Sequence, residues 1–462
     1  MYVLKNHNLK VHSDLFKQYT ELRVQENREL NISLIKGNLV RNTKKSTGGV
    51  SVRVNNKGYW GFSSIPSFNS DGIKKSIEQA SYNANFLQSK ENKTKSTFQP
   101  SNPSFEMDLT TKKTKFTQKQ IMEYIKEVDS YIVNKYPKLS NREVHMQCLD
   151  MEKKILTSDG ASLFSMLPRS IVYIALILEK NGEPVRITVP FGGLGQFEDN
   201  FDSPRNLYEE IDKTYNHLLK KAEAIYAEAG VKECILDAKL AGILAHEAIG
   251  HTVEADLVLG GSVAGDYLGK KVASPLISLV DYANEYDGKM CPVPVYIDDE
   301  GTDAKDVVII EDGVLKSFMH NKESAQHFNV SPTGNARAYQ YFDEPLIRMR
   351  NTAIVPGKSS IDEMISSIED GYYLIQPSNG QADTTSEFMF GVTLGYEIKN
   401  GKIGRAIKDT TISGIAFDVL ESVSMVSDEM NWSAGGFCGK KQMITVGMGG
   451  PAIKSKINLG GR

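Results

Sequence analysis

Only four of the 462 residues are cysteines, Cys148, Cys234, Cys291 and Cys438, and no two form a Cys-x-x-Cys pair. That scarcity argues against both a disulfide framework and a four-cysteine zinc site. No stretch approaches the roughly 18 consecutive apolar residues of a membrane span, so no membrane partner is expected. The first residues, Met-Tyr-Val-Leu-Lys-Asn-His-Asn, lack the charged start, apolar centre and small-residue cleavage site of a secretory signal. The cytoplasm is therefore the expected location. An excess of one charge is missing too: 54 Lys plus Arg stand against 57 Asp plus Glu, a net charge of −3. Without a basic field, direct nucleic-acid binding is not expected. Fixed-period repeats are also absent, which argues against a solenoid.

What is present is ordinary globular composition, 40% hydrophobic, 24% charged and 9% aromatic. At roughly 150 residues per unit, the length suggests about three folding units. Asn31 to Gly37 and Gly49 to Gly58 show the two-residue alternation of half-buried strands, with a turn over Asn55 to Gly58 and a continuing strand through Trp60 and Phe62. Ile73, Ile77 and Ala80 then recur at helical spacing. A polar, proline-bearing stretch from Lys90 to about Lys115 reads as a linker. Beyond it come a helix over Thr117–Tyr136, strands over Val144–Asp150, Lys154–Thr157 and Ile171–Glu179, and a helix over Leu207–Ala229 capped by Gly230. After Val231 the texture is one helix followed by short strands. Turn pairs are expected at Asp312-Gly313, Asn379-Gly380 and Asn400-Gly401, and a hairpin over Phe388–Ile398 and the strand from Lys402. The expected fold class is α+β: N-terminal α+β units over 1–105 and 115–230, then a β-rich C-terminal domain over 231–462 carrying one metal-binding helix.

The most informative stretch is His246-Glu247-Ala-Ile-Gly250-His251-Thr-Val-Glu254-Ala-Asp256, which holds two of the eight histidines. Zinc peptidases commonly space such histidines four apart, because about 100° per residue leaves both imidazoles within roughly 40° on one helix face. Here the spacing is five, which on a regular helix separates the rings by about 140°. A π-bulge would return both to one side with Glu247 flanking them, and Gly250 would make such a distortion cheaper. The competing reading is an amphipathic helix with Leu240, Ile243 and Leu244 inward and the histidines and glutamates near its surface.

Read with its surroundings, this stretch resembles the His-Glu-x-x-x-His core of the TldD/PmbA family of metallopeptidases, in the TldD-like branch that retains it. Further segments match in the same order: Gly49–Val54, Gly58–Phe62, Ile297–Thr302, Ile310–Lys316, Ser331–Arg337, Arg348–Gly357 and Cys438–Pro451. The resemblance implies a zinc-dependent peptidase, one Zn²⁺ per chain, with His246, His251 and Cys438 as ligands and Glu247 as general base. Two imidazoles and a thiolate suit zinc and leave a fourth position for water. Cys438 lies between Gly435, Gly436 and Gly439, which lets the backbone approach a metal closely. Metal-activated water would attack the scissile carbonyl while Glu247 moves the proton to the leaving amine. Glu254 is a candidate partner for the free imidazole N–H of His251, though a surface salt bridge is an equal reading. The implied substrates are flexible or unfolded peptides. The implied assembly is a dimer, either of this chain or with a metal-free PmbA-like chain. Two further readings are a non-enzymatic peptide-binding or regulatory subunit, and modulation of DNA gyrase by protein contact.

Three other groups invite chemistry. Asp298-Asp299-Glu300 offers oxygen ligands for magnesium or calcium, but lacks calcium-loop spacing and reads better as a turn with solvated charges. Arg348, Arg350 and Asn351 could bind a carboxylate, although a structural ion pair is the simpler expectation. Cys148, Cys234 and Cys291 read as reduced, structural cysteines.

Overall fold

The alternating N-terminal segments form long antiparallel strands in the computed structural model, which describes residues 4–90, 98, 102–433 and 436–460. They are β1 (Tyr19–Ile35), β2 (Asn38–Asn56) and β3 (Tyr59–Ile65), followed by α1 (Ser70–Gln88). Lys57 and Gly58 both take positive φ, 52° and 92°, as a two-residue hairpin turn requires. β4 (Ser104–Asp108) and α2 (Gln118–Lys135) come next. Thr117 starts α2 with a reciprocal cap to Gln120. β5 (Asn141–Thr157) is one continuous strand where two were expected, and β6 (Ser162–Lys180), β7 (Glu183–Leu194) and α3 (Tyr208–Ala222) complete the region. The sheet order is β3-β2-β1-β5-β6-β4, with β7 on β6. Strands from both sides of the polar segment thus share one hydrogen-bonded sheet. Most of that segment, 91–97 and 99–101, lies outside the described residues, as does Gly435. Ile73, Ile77, Ala80 and Ala84 of α1 bury against Val50, Val52 and Val54. Ile121, Ile125 and Val128 of α2 pack with Val144, Val172 and Leu218 in a second core.

α3 ends at Ala222, seven residues short of the expected stop. The cause is tertiary: Ile225 donates to the Ala406 carbonyl at 3.0 Å and accepts from Lys408 N at 2.7 Å, so its backbone is already paired. Gly230, at φ +107°, opens β8 (Gly230–Leu236) instead of capping a helix.

Beyond β8 the segment that carries His246 and His251 begins with α4 (Ala238–Ile243). The later strands are β9 (Leu279–Tyr282), β10 (Val307–Glu311), β11 (Val314–Leu315), β12 (Asn351–Ile354), β13 (Asp370–Ala382), β14 (Glu387–Lys399), β15 (Lys402–Ala406), β16 (Thr410–Ile415), β17 (Gly436–Lys440), β18 (Gln442–Gly450) and β19 (Ile453–Leu459). β13-β8-β19-β16-β14 closes on itself through a β13–β14 pairing, forming a barrel with β15 added to β14. A second sheet runs β11-β10-β9-β12-β18 to Asn431–Trp432, with β17 paired to β18. The turns at Asp312-Gly313 and Asn400-Gly401 form as expected, with positive φ at all four residues. Asn379-Gly380 instead lies within β13. A Cβ at Gly380 would sit 2.1 Å from the Phe390 ring, so glycine there serves a cross-strand approach.

Leu240, Leu244, Ala248 and Ile249 pack in one core with Leu374, Phe390, Ile354 and Val446. The helix is thereby held between barrel and second sheet. Its Gly242 faces Gly449 of β18, where a Cβ would lie 3.0 Å from the Gly449 nitrogen. The fold is α+β, with an N-terminal sheet-and-helix region and a β-rich C-terminal region.

Candidate metal centre

α4 does not continue as an α-helix. Leu244–Gly250 is a π-helical turn, and His251–Val253 follows as a 3₁₀ turn. In a π turn the hydrogen bonds run between residues five apart, so a five-residue spacing becomes an alignment. The His246 and His251 rings lie with centroids 5.5 Å apart. The reading with both histidines near the surface is overturned for His246, which has no exposed surface.

Cys438 enters from β17. Its Sγ lies 3.1 Å from His251 Nε2, and one donor atom from each of His246, His251 and Cys438 falls within 4.8 Å of the others. Both ring nitrogens of His246 are buried and, among the described residues, have no hydrogen-bond partner. Buried imidazole nitrogens are seldom left without a hydrogen bond, and neither nitrogen of His246 makes one among the described residues. The donor set of two imidazoles and one thiol fits a zinc ion. Of the other cysteines, none joins this cluster among the described residues; Cys234 and Cys291 are buried and Cys148 is half-buried.

Glu247 borders the same space, its carboxylate oxygens 4.0 Å from His246 Nε2 and 3.7 Å from His251 Nε2. Its side chain is 26% exposed, so it is the group that reaches toward solvent. Glu254 is fully buried and accepts from His251 Nδ1 at 2.9 Å. That hydrogen bond leaves Nε2 directed at Cys438. Lys440 donates to the same Glu254 oxygen at 3.1 Å. Arg348, also fully buried, donates to the carbonyls of Cys438 and Gln442, both at 2.9 Å.

Burial holds His246 well below the ordinary histidine range, with the neighbouring His251 and Arg348 adding to it. Burial would lower His251 as well, but Glu254 and Cys438 outweigh it and push the ring up to about 10. Burial raises Glu247. Burial would raise Glu254, yet His251 and Lys440 hold it below the usual carboxylate range. A divalent cation among the donors would reverse the direction for His251, because it favours a neutral imidazole.

The remaining sequence candidates lie elsewhere. Asp298, Asp299 and Glu300 are 1%, 5% and 0% exposed, which overturns the reading of solvated charges. Asp298 accepts from the backbone of Glu300, Thr302 and Ala336, Asp299 from Lys153, and Glu300 from Arg53. Their oxygens are committed to structure. Arg350 pairs with Asp281 at 2.8 Å, both fully buried, and Asn351 joins the backbones of Val293 and Tyr282. Sequence reasoning gave no role to Lys440. Strand alternation puts it on the same face of β17 as Cys438, which was the available signal.

Comparison with known proteins bears on the same residues. Residues 229–461 match the PmbA/TldA metallopeptidase C-terminal domain, and residues 20–84 match PmbA/TldA metallopeptidase domain 1. The chain is 30% identical over 337 residues to a zinc metalloprotease TldD homolog of Saccharolobus solfataricus, covering 72% of each chain. It is 31% identical over 453 residues to a metalloprotease of Methanocaldococcus jannaschii, covering 95% of this chain and 96% of that one. A crystal structure from Thermotoga maritima, described as a proposed modulator of a DNA gyrase, shares the fold with a TM-score of 0.77 at 21% identity, covering 96% of each chain.

Proposed function

The chain belongs to the PmbA/TldD family of metallopeptidases, and from that premise we propose that it is a zinc peptidase acting on flexible or unfolded peptides. His246, His251 and Cys438 would hold the ion, and Glu247 is the general base. The observation that carries this reading is the cluster of three donors within 4.8 Å of one another, in which neither buried ring nitrogen of His246 makes a hydrogen bond among the described residues.

When bound, zinc supplies Lewis-acid polarisation of a water and of the scissile carbonyl. The chain's residues do the rest. Glu247, at the exposed side of the cluster, takes the proton of the attacking water and delivers it to the departing amine. Glu254 holds His251 by Nδ1 so that Nε2 is presented to the ion. Arg348 fixes the carbonyl of Cys438 and with it the strand bearing the thiolate.

Among the described residues no helix is long and apolar enough to cross a membrane. A dimer, of two copies or with a PmbA-like chain, belongs to the same proposal, and light scattering of the purified chain alone and with such a partner decides between them. The decisive test of the site is elemental analysis of the purified protein beside Cys438→Ser, both expressed without a metal-chelating tag. The expected result is close to one zinc per chain, reduced in the variant. A wild-type chain that retains no zinc after zinc addition would overturn the proposed centre.

A further inference from the structure

Lys440 stands two residues after Cys438 on β17, with a side chain only 11% exposed. An ammonium has three protons and accepts nothing. Here each proton has an acceptor: Glu254 Oε2 at 3.1 Å, the Asp256 carboxylate at 2.7 Å, and the Ile347 carbonyl at 3.0 Å. The acceptors lie on two pieces of chain, one holding Glu254 and Asp256 and the other holding Ile347. Glu254 follows the turn that carries His251, Asp256 is in the short helix Ala255–Leu259, and Ile347 lies in the two-residue strand Leu346–Ile347. One side chain therefore ties the strand of the thiol ligand to the segment of an imidazole ligand.

The point of attachment matters. The Glu254 oxygen that takes the Lys440 proton is also the one that takes the His251 Nδ1 proton at 2.9 Å, and the other oxygen, Oε1, is buried with no hydrogen-bond partner among the described residues. With Lys440 removed, a fully buried carboxylate would lose its lysine partner, and only His251 would define which oxygen faces the ring. Isolated buried charge is costly, so the carboxylate would turn or draw in water. Either response rotates the His251 ring and moves Nε2 relative to Cys438 Sγ.

We infer that Lys440 is a positioning residue for the metal centre: through Glu254 it sets the orientation of His251, and through its own strand it keeps Cys438 in register with both histidines. The inference rests on the proposed His246–His251–Cys438 site. It assigns Lys440 no contact with substrate or with the ion.

The test is metal binding by the full chain, with zinc alone in competition with a chromophoric chelator and with cobalt(II) as a spectroscopic substitute. Lys440→Met should weaken zinc by about tenfold or more, the range found when partners of metal ligands are removed, and should alter the cobalt ligand-field bands. Lys440→Arg, which keeps the charge, should recover part of both. In a Glu254→Gln background, Lys440→Met should cost less than it does in the wild type, because the part of its effect that runs through His251 is already lost. The melting temperature of the metal-free protein reports any general loss of fold. Should Lys440→Met fail to fold, Lys440→Gln keeps a donor without the charge and is read in the same two ways. Wild-type zinc affinity with unchanged cobalt bands overturns the inference while leaving the three-ligand site standing. Fully additive losses with Glu254→Gln overturn it as well. No metal on the wild-type chain overturns both.

Discussion

A Cβ placed on Gly250 would lie 1.9 Å from the sulfur of Met349. Gly250 itself sits in ordinary helical geometry, φ −54° and ψ −47°, so glycine is needed there for closeness and not for an unusual backbone. Met349 has no exposed surface, so its side chain would have to repack inside the core. Gly250→Ala should therefore cost about 1–3 kcal/mol, as overpacked cores do, and should displace the adjacent His251. Denaturant midpoints together with bound zinc check this, and Met349→Ala in the same chain should restore part of both. Unchanged midpoint and metal content in Gly250→Ala would show that the contact relaxes freely.

Arg350 and Asp281 form a pair with no solvent access. Asp281 also accepts from the backbone of Arg350 and Asn351 and from Asn335. Removing the guanidinium leaves that carboxylate short of its countercharge, which typically costs about 3–5 kcal/mol. Arg350→Met should lower stability by that order, read by urea unfolding, while the folded fraction keeps its zinc and its KM for peptides. A raised KM at full stability would instead return Arg350 to a substrate-binding role.

Glu247 differs from its neighbours in touching the site without serving as a ligand in the proposed arrangement. Glu247→Gln keeps the shape and removes the base, so zinc content should match the wild type while kcat falls by about 10²–10⁴. His246→Ala should lose metal and turnover together. The contrast between these variants, measured by elemental analysis and single-substrate kinetics, separates proton transfer from metal binding. Normal turnover in Glu247→Gln would remove it as the base.

Local signals were legible where the chain satisfies itself locally. Thr117 and Gln120 cap α2 from within four residues, and the Asp312-Gly313 and Asn400-Gly401 turns rest on backbone φ alone. The five-residue histidine spacing pointed to a π turn only conditionally, because letters do not specify which hydrogen-bond pattern a helix adopts. What escaped notice depended on distant pairing. Ile225 stops being helical because 406 and 408 claim its backbone. Asp299 is buried because Lys153 lies across from it, and Lys440 matters because Glu254, 186 residues away, shares its oxygen with His251. Charge-rich runs look solvated until the partner strand is known.

The same buried charges make stability depend on pH. Glu21 is 3% exposed and shares Arg53 with Glu300, with Tyr19 and Lys322 also facing it. Burial raises its carboxyl, Glu300 adds to that, and Arg53 only partly offsets them, leaving it at about 8 against an ordinary 4.5. Asp298 is raised in the same direction, by burial and Glu300, to about 7. A carboxyl raised on folding binds its proton more tightly in the native chain than in the unfolded one. Its contribution is complete below the unfolded value and is lost as pH climbs through the folded value. Stability should thus decline from about pH 5 to about pH 8, by up to about 1.4 kcal/mol per pH unit for each group. Glu21→Gln imitates the protonated form and should flatten that slope, as melting temperatures across the range would reveal. An identical slope in Glu21→Gln and wild type would mean that Arg53 keeps Glu21 ionised throughout, and that the proton is held elsewhere in the cluster.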